Sequence, residues 1–147
     1  MKTSRRRARR GFTLIEVLLV LVILGVLAAL VVPNLIGTQQ QANVDAARAS
    51  IKGLEQALKY HAHDHGGEYL QGNRDSLLTL LEDSEYNGKK LKPYIEDSPK
   101  DAWGELLYYE FPNTKSTKAN KPAIWSSGAN RQNEDGAGDD ITNWTTN

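Results

Sequence analysis

The chain has 147 residues, no cysteine, 39% hydrophobic side chains, and 18 basic residues against 18 acidic ones. That length suits one domain with an appended segment, and it excludes a large multidomain enzyme. Without cysteine there is no disulfide, no thiolate metal site and no cysteine nucleophile.

The zero net charge, which by itself gives no ground for a nucleic-acid binder, is a sum of two opposite blocks. Residues 1–11 carry six positive side chains (Lys2, Arg5, Arg6, Arg7, Arg9 and Arg10) and no acid, so the rest of the chain sums to −6. A basic stretch directly before an apolar run holds an N-terminus on the cytoplasmic side of a membrane. An arginine cluster can also serve as a nucleic-acid-binding arm, but the apolar run that follows at once argues against that reading.

The run extends from Phe12 to Val32 and ends at Pro33. As a helix it measures roughly 31 Å, enough for a hydrocarbon core of roughly 30 Å. It is apolar on every side, unlike the one-faced helix of a globular domain. Either it is a signal peptide cleaved near Val26-Leu27-Ala28, or it is retained and inserted. Glu16 favours retention, because a carboxylate inside an apolar span costs about 2.5–3.5 kcal/mol and therefore implies a partner. Residues 12–32 contain no Lys, Arg or His to pair with it. A free α-amine would serve: cleavage after Gly11 would place the new amine of Phe12 about one helical turn from Glu16.

Proline at 33 removes a helical hydrogen bond and predicts a kink. The helix then resumes, with Ile36, Val44, Ala47, Ile51, Leu54 and Leu58 recurring at helical spacing and Gly66-Gly67 as the stop. Residues 66–147 make a small head that needs this stripe as one wall of its core. Within it, 73–82 reads as a short helix, 97–104 as a turn, and Glu105–Phe111, Ala123–Ser126 and Ile141–Trp144 as strands. The predicted class is α+β: a long N-terminal helix packed on an antiparallel sheet of two to four strands.

Chemistry-bearing patterns are sparse. His61, His63 and His65 form an H-x-H-x-H run in which His61 and His65 share a helical face, a spacing able to bind zinc, yet no third ligand is placed beside them. Cations at a helix C-terminus are also explained by the helix dipole. By composition alone Glu134, Asp135, Asp139 and Asp140 read as solvated loop acids, and no EF-hand order is present. No nucleophile elbow or phosphate-cradling glycine loop occurs, so catalysis is not expected. A metal hydrolase using the histidines or the acidic loop is the competing reading. Trp103, Trp125 and Trp144 read as core or turn anchors.

The segment Arg10-Gly11-Phe12-Thr13-Leu14-Ile15-Glu16, followed by an apolar run, resembles the processing signal of the type IV pilin-like family, which includes the type II secretion pseudopilins. Further along, Asp101-Ala102-Trp103-Gly104 with Tyr108, Ser126-Ser127-Gly128-Ala129-Asn130 and Asp139-Asp140-Ile141-Thr142-Asn143-Trp144 resemble the corresponding elements of the major pseudopilins. Ordinary type IV pilins often carry a disulfide in the C-terminal region, which this chain cannot form.

The resemblance implies a leader (1–11) removed by a prepilin peptidase between Gly11 and Phe12, with N-methylation of Phe12. It implies a transmembrane and filament-core helix (12–33) and a periplasmic head (34–147). It also implies that Glu16 pairs with the Phe12 amine of a neighbouring subunit as a homopolymeric pseudopilus assembles for protein export. The implied location is the inner membrane, single-pass, and the implied partners are minor pseudopilins and an inner-membrane assembly platform. A type IV pilus or DNA-uptake pilin is the alternative. The resemblance further implies calcium in the C-terminal loop, with ligands Asn130, Asp139, Asp140 and the Ser127 carbonyl. Asn130 stands where the family usually has Asp, and Ser127 where it usually has Leu; Glu134 or Asp135 would have to compensate for the lost charge.

Overall fold

The computed structural model describes residues 11–115 and 120–145, with the side chains of 30–36 also outside the description. The basic residues of the leader and the bend foreseen at Pro33 therefore lie outside the described residues. Helix α1 spans Leu14–Asp64. The chain divides into two units, Met1–Gln39 and Gln40–Asn147.

In the first unit the helix starts with a reciprocal cap. The Glu16 carboxylate accepts hydrogen bonds from the Thr13 backbone N–H (2.9 Å) and hydroxyl (2.8 Å), and the Glu16 N–H donates to Thr13 Oγ1 at 3.4 Å. This satisfies two groups at the helix start that have no partner within the helix. The large apolar side chains from Phe12 to Leu27 are all exposed, from 49% at Val17 to 86% at Phe12. Such a surface, continuous around the helix from Phe12 to Leu27, is left open among the described residues.

The single-pass inner-membrane placement is not upheld. Among the described residues no helix is long and apolar enough to cross a membrane. The helix begins at Leu14 rather than Phe12 and carries Glu16 in its first turn.

In the second unit the apolar stripe of α1 is buried as its spacing requires. Ala47, Ile51, Leu54 and Leu58 are at most 3% exposed, and Val44 packs against them. The helix ends where Gly66 and Gly67 adopt positive φ (73° and 94°), so that the Gly67 N–H reaches back to the Ala62 carbonyl at 2.7 Å. That is the glycine-dependent closure that satisfies the last carbonyls of a helix.

Strand β1 (Gly72–Asn73) leads into a 3-10 helix, Arg74–Leu81, capped by Asn73, whose side chain accepts from the Asp75 N–H. Its three-residue repeat aligns Leu77 and Leu80, both fully buried, and leaves Leu78 at the surface. Strands β2 (Ser84–Tyr86) and β3 (Lys89–Leu91) form a separate hairpin that the sequence reading did not foresee. Its turn is Asn87-Gly88, both at positive φ, the pairing that a two-residue hairpin loop favours.

The main sheet contains β1, β4 (Tyr108–Phe111), β5 (Ala123–Ser126) and β6 (Ile141–Thr142), antiparallel in the order β1-β4-β5-β6. The α+β prediction holds, at the upper end of its strand count. The predicted strand from Glu105 is shorter because Leu107 is spent on a bond to the Pro99 carbonyl and Leu106 on an isolated bridge to Lys100. One sheet face sends Tyr109, Ile124 and Ile141 into the core with the helix stripe, Leu77, Leu80 and Leu107. On the other face Tyr108 stacks on Trp125 (centroids 5.3 Å apart), Trp144 meets Trp125 edge-on, and the Arg74 guanidinium lies 4.3 Å over Tyr108. Central strand β5 is thus buried along its whole length.

Candidate cation site in the C-terminal loop

The loop between β5 and β6 runs from Ser127 to Asp140, and backbone geometry brings its two ends together. Gly128 has φ 64°, and a Cβ there would lie 2.3 Å from the Asp139 carbonyl oxygen, so only glycine admits this approach. Asp139 Oδ2 accepts the Asn130 N–H at 2.9 Å, which ties the early part of the loop to the late part. Asp140 Oδ2 accepts two backbone N–H groups, Gly136 at 2.8 Å and Glu134 at 3.1 Å. Glu134 Oε2 takes the Asp139 N–H at 3.3 Å and the Asn130 side-chain amide at 3.1 Å.

Three carboxylates converge as a result. Glu134, Asp139 and Asp140 each present an oxygen, and these oxygens lie within 4.8 Å of one another, a cluster that could hold a metal ion. Burial pushes the Asp140 carboxyl above its ordinary value; the bonds from Gly136 and Glu134 oppose this, and the charges of Glu134 and Asp139 reinforce it. Asp140 Oδ1 is buried and has no hydrogen-bond partner.

Asp139 and Asp140 thus stand in the cluster. Asn130 lies beside it with opposite polarity: its side-chain oxygen accepts the Gln132 N–H at 2.6 Å, and its amide donates to Glu134. Ser127 is buried at the loop's entrance. Asp135 faces away, ion-paired with Lys115 at 3.1 Å. Glu134, named only as a possible compensator, supplies the third carboxylate.

The loop is anchored from outside. Asn143 exchanges backbone and side-chain bonds with Ile124 and Pro122, extending the pairing of β5 beyond β6. Trp144 packs over Gly136, where a Cβ would lie 2.3 Å from its ring. The Trp125 indole N–H donates to Asn133 Oδ1 at 2.8 Å, holding the middle of the loop.

The match to known families is decisive at this point. Residues 34–144 match the family model "Type II secretion system (T2SS), protein G". The chain belongs to the type II secretion system protein G family. Residues 6–32 match the prokaryotic N-terminal methylation motif. The chain is similar to the type II secretion system core protein G of Vibrio cholerae, 36% identical over 143 residues that cover 96% of this chain and 95% of that protein. The protein G of Pseudomonas aeruginosa is 34% identical over 145 residues, covering 95% and 98%. Among solved structures, the major pseudopilin from the type 2 secretion system of enterohaemorrhagic Escherichia coli aligns with a TM-score of 0.58 and 25% identity, over 79% of this chain and 98% of that one. Protein G family members are structural and non-catalytic, so the hydrolase reading falls away.

Proposed function

We infer that this chain is the structural subunit of a type II secretion pseudopilus, the major pseudopilin, which polymerises into a filament that drives protein export. The reading is carried by one observation: a protein G match over 34–144 follows a methylation-motif match over 6–32 in the same chain. The exposed apolar side chains from Phe12 to Leu27 supply the physical reason to polymerise. At roughly 25 cal/mol per Å² of apolar surface removed from water, neighbouring copies gain by covering one another's helices. Minor pseudopilins, an assembly platform and a prepilin peptidase are the partners in this reading.

In the same reading the peptidase cuts between Gly11 and Phe12, Phe12 is N-methylated, and Glu16 trades its Thr13 bonds for the Phe12 amine of a neighbour. Methylation leaves that amine cationic, so the pairing is preserved. Mass analysis of the mature protein tests the processing: a start at methylated Phe12 is expected, and a start near Ala29 would overturn it. Deleting the chain in its host tests the role: secretion should fail, and normal export would refute it.

Calcium is the ion that suits the loop. Glu134, Asp139 and Asp140 offer hard oxygen ligands, and the unpartnered Asp140 Oδ1 gives the cluster an acceptor without a donor. A bound calcium would supply the positive charge that three converging carboxylates lack. Asp139 and Asp140 are the ligands in common with the family resemblance. Glu134 would replace the charge lost at Asn130, and the Ser127 carbonyl completes the proposed set. Thermal melting with calcium and with chelator tests this: a higher midpoint in calcium is expected, and indifference would remove the site.

A further inference from the structure

Beyond the C-terminal loop, the H-x-H-x-H run at the end of α1 is the feature the filament role leaves unexplained. His61 and His65 stand one turn apart with their rings face to face, centroids 3.9 Å apart and planes within 9°. The β2-β3 hairpin and the segment after it close over this pair. Tyr94 meets His61 edge-on at 5.2 Å, and Tyr86 meets His65 at 4.7 Å. Between the two histidines, Asp64 accepts the Tyr94 hydroxyl at 3.2 Å and pairs with Lys89 at 3.5 Å. The hairpin has no place in the main sheet. The segment after it is tied to the 3-10 helix by the Tyr94 N–H, which donates to the Leu80 carbonyl at 2.8 Å, and Leu91 is buried. The side-chain contacts of the hairpin and this segment with the end of α1 are made to His61, Asp64 and His65.

We propose that the stacked His61–His65 pair is a pH-sensitive clamp that holds the 84–94 segment on the end of α1 and releases it on acidification. The geometry suits neutral rings. His65 Nδ1 lies 2.8 Å from the His61 carbonyl, which fixes that nitrogen as a donor. His61 Nδ1 is buried without a partner, so a proton added there would find no acceptor. Two imidazolium rings in this stack would also repel at contact distance.

The groups facing the pair from the other elements do not offset this. From the facing segment come Lys89, itself a cation, and the rings of Tyr86 and Tyr94; on α1 itself the acid beside the pair among the described residues is Asp64, already shared by Lys89 and Tyr94. Burial, then the charge of His65, holds the His61 pKa below its ordinary value, with Asp64 opposing. The sign follows: a histidine whose folded pKa is depressed costs nothing above the unfolded value of about 6.5, and stability is lost as pH falls below it.

Hydrogen exchange of the full chain, followed by mass spectrometry and corrected for intrinsic rates, reads the clamp. Between pH 7.5 and 5.5 (chosen as about one unit either side of the free imidazole) protection of 84–94 should fall at least about threefold, while β4 and β5 hold. His61→Phe keeps a ring in the stack but cannot titrate, so its 84–94 protection should not change with pH. Unchanged protection in the wild type, or an equal loss in His61→Phe, overturns the proposal. Imidazole titration by NMR provides a second reading independent of the variant. The hairpin resonances should shift with the His61 midpoint, and a His61 that titrates without them overturns the proposal equally.

Discussion

Asp101 and Ser126 are joined across the fold: the Ser126 hydroxyl donates to Asp101 Oδ2 at 2.6 Å, and both residues are buried. Asp101 Oδ1 accepts the Trp103 and Glu105 N–H groups, which shapes the turn before β4. The Ser126 oxygen accepts the Gly128 N–H at 3.1 Å, which sets the entrance of the acidic loop. One carboxylate thus couples the turn that launches the sheet to the loop that gathers the acids.

Asp101→Ala should therefore destabilise the chain by about 3 kcal/mol, because it strands several buried donors at once. Asp101→Asn keeps a carbonyl for the turn, and its amide can donate to Ser126, so its cost should be about half as large. Urea unfolding measures both. Equal stability of Asp101→Ala and wild type would show that the turn and loop are not coupled through this residue.

Asp140 gives a prediction in which calcium reverses the sign. Its folded pKa is raised chiefly by burial, so without a cation its contribution to stability declines as pH rises from about 3.8, the unfolded value, through the folded one. Asp140→Asn removes that charge while its carbonyl still accepts the Glu134 and Gly136 N–H groups. In chelator at neutral pH the variant should melt no lower than wild type. In excess calcium it should melt lower, because the wild type gains from binding and the variant does not. A variant that melts lower under both conditions would show that Asp140 is structural and not a ligand.

How far this was readable in the sequence depends on the range of each interaction. The stripe from Ala47 to Leu58 was legible because helical spacing alone selects a buried face. The β2-β3 hairpin was legible in principle, through Asn87-Gly88, but its strands are short and polar and do not alternate clearly. The convergence of Asp139 and Asp140 followed from family likeness, whereas composition pointed to solvated acids. Asn130 shows why ligand identity is harder: its side-chain oxygen is turned to Gln132 by a local bond that no spacing rule reveals. The link from Asp101 to Ser126 crosses 25 positions and has no sequence signature.

Glu16 separates folding from assembly. Its side chain lies in the first unit and bonds to Thr13 alone among the described residues. Glu16→Ala should leave the melting of the 40–147 unit and its calcium response unchanged. If the neighbour's amine needs this acid, electron microscopy should show no filaments from the variant. Filaments of normal abundance would overturn the charge-pairing step while leaving the apolar contacts as the cause of assembly.

Gly128 tests whether the loop's geometry, rather than its charge, forms the site. A methyl group there would press on the Asp139 backbone, which cannot swing aside, and the positive φ adds strain for any L side chain. Gly128→Ala should cost about 2–4 kcal/mol and abolish the calcium response together. Gly138 is the informative contrast. Its added Cβ would meet the Glu134 carboxylate, the free end of a flexible side chain that can move away. Gly138→Ala should therefore cost less stability than Gly128→Ala, while still losing calcium affinity because Glu134 is displaced from Asp139 and Asp140. Parallel melts of the two variants, each with calcium and with chelator, separate these effects. If Gly138→Ala binds calcium normally, Glu134 is not a ligand, and the charge missing at Asn130 is not restored from this loop position.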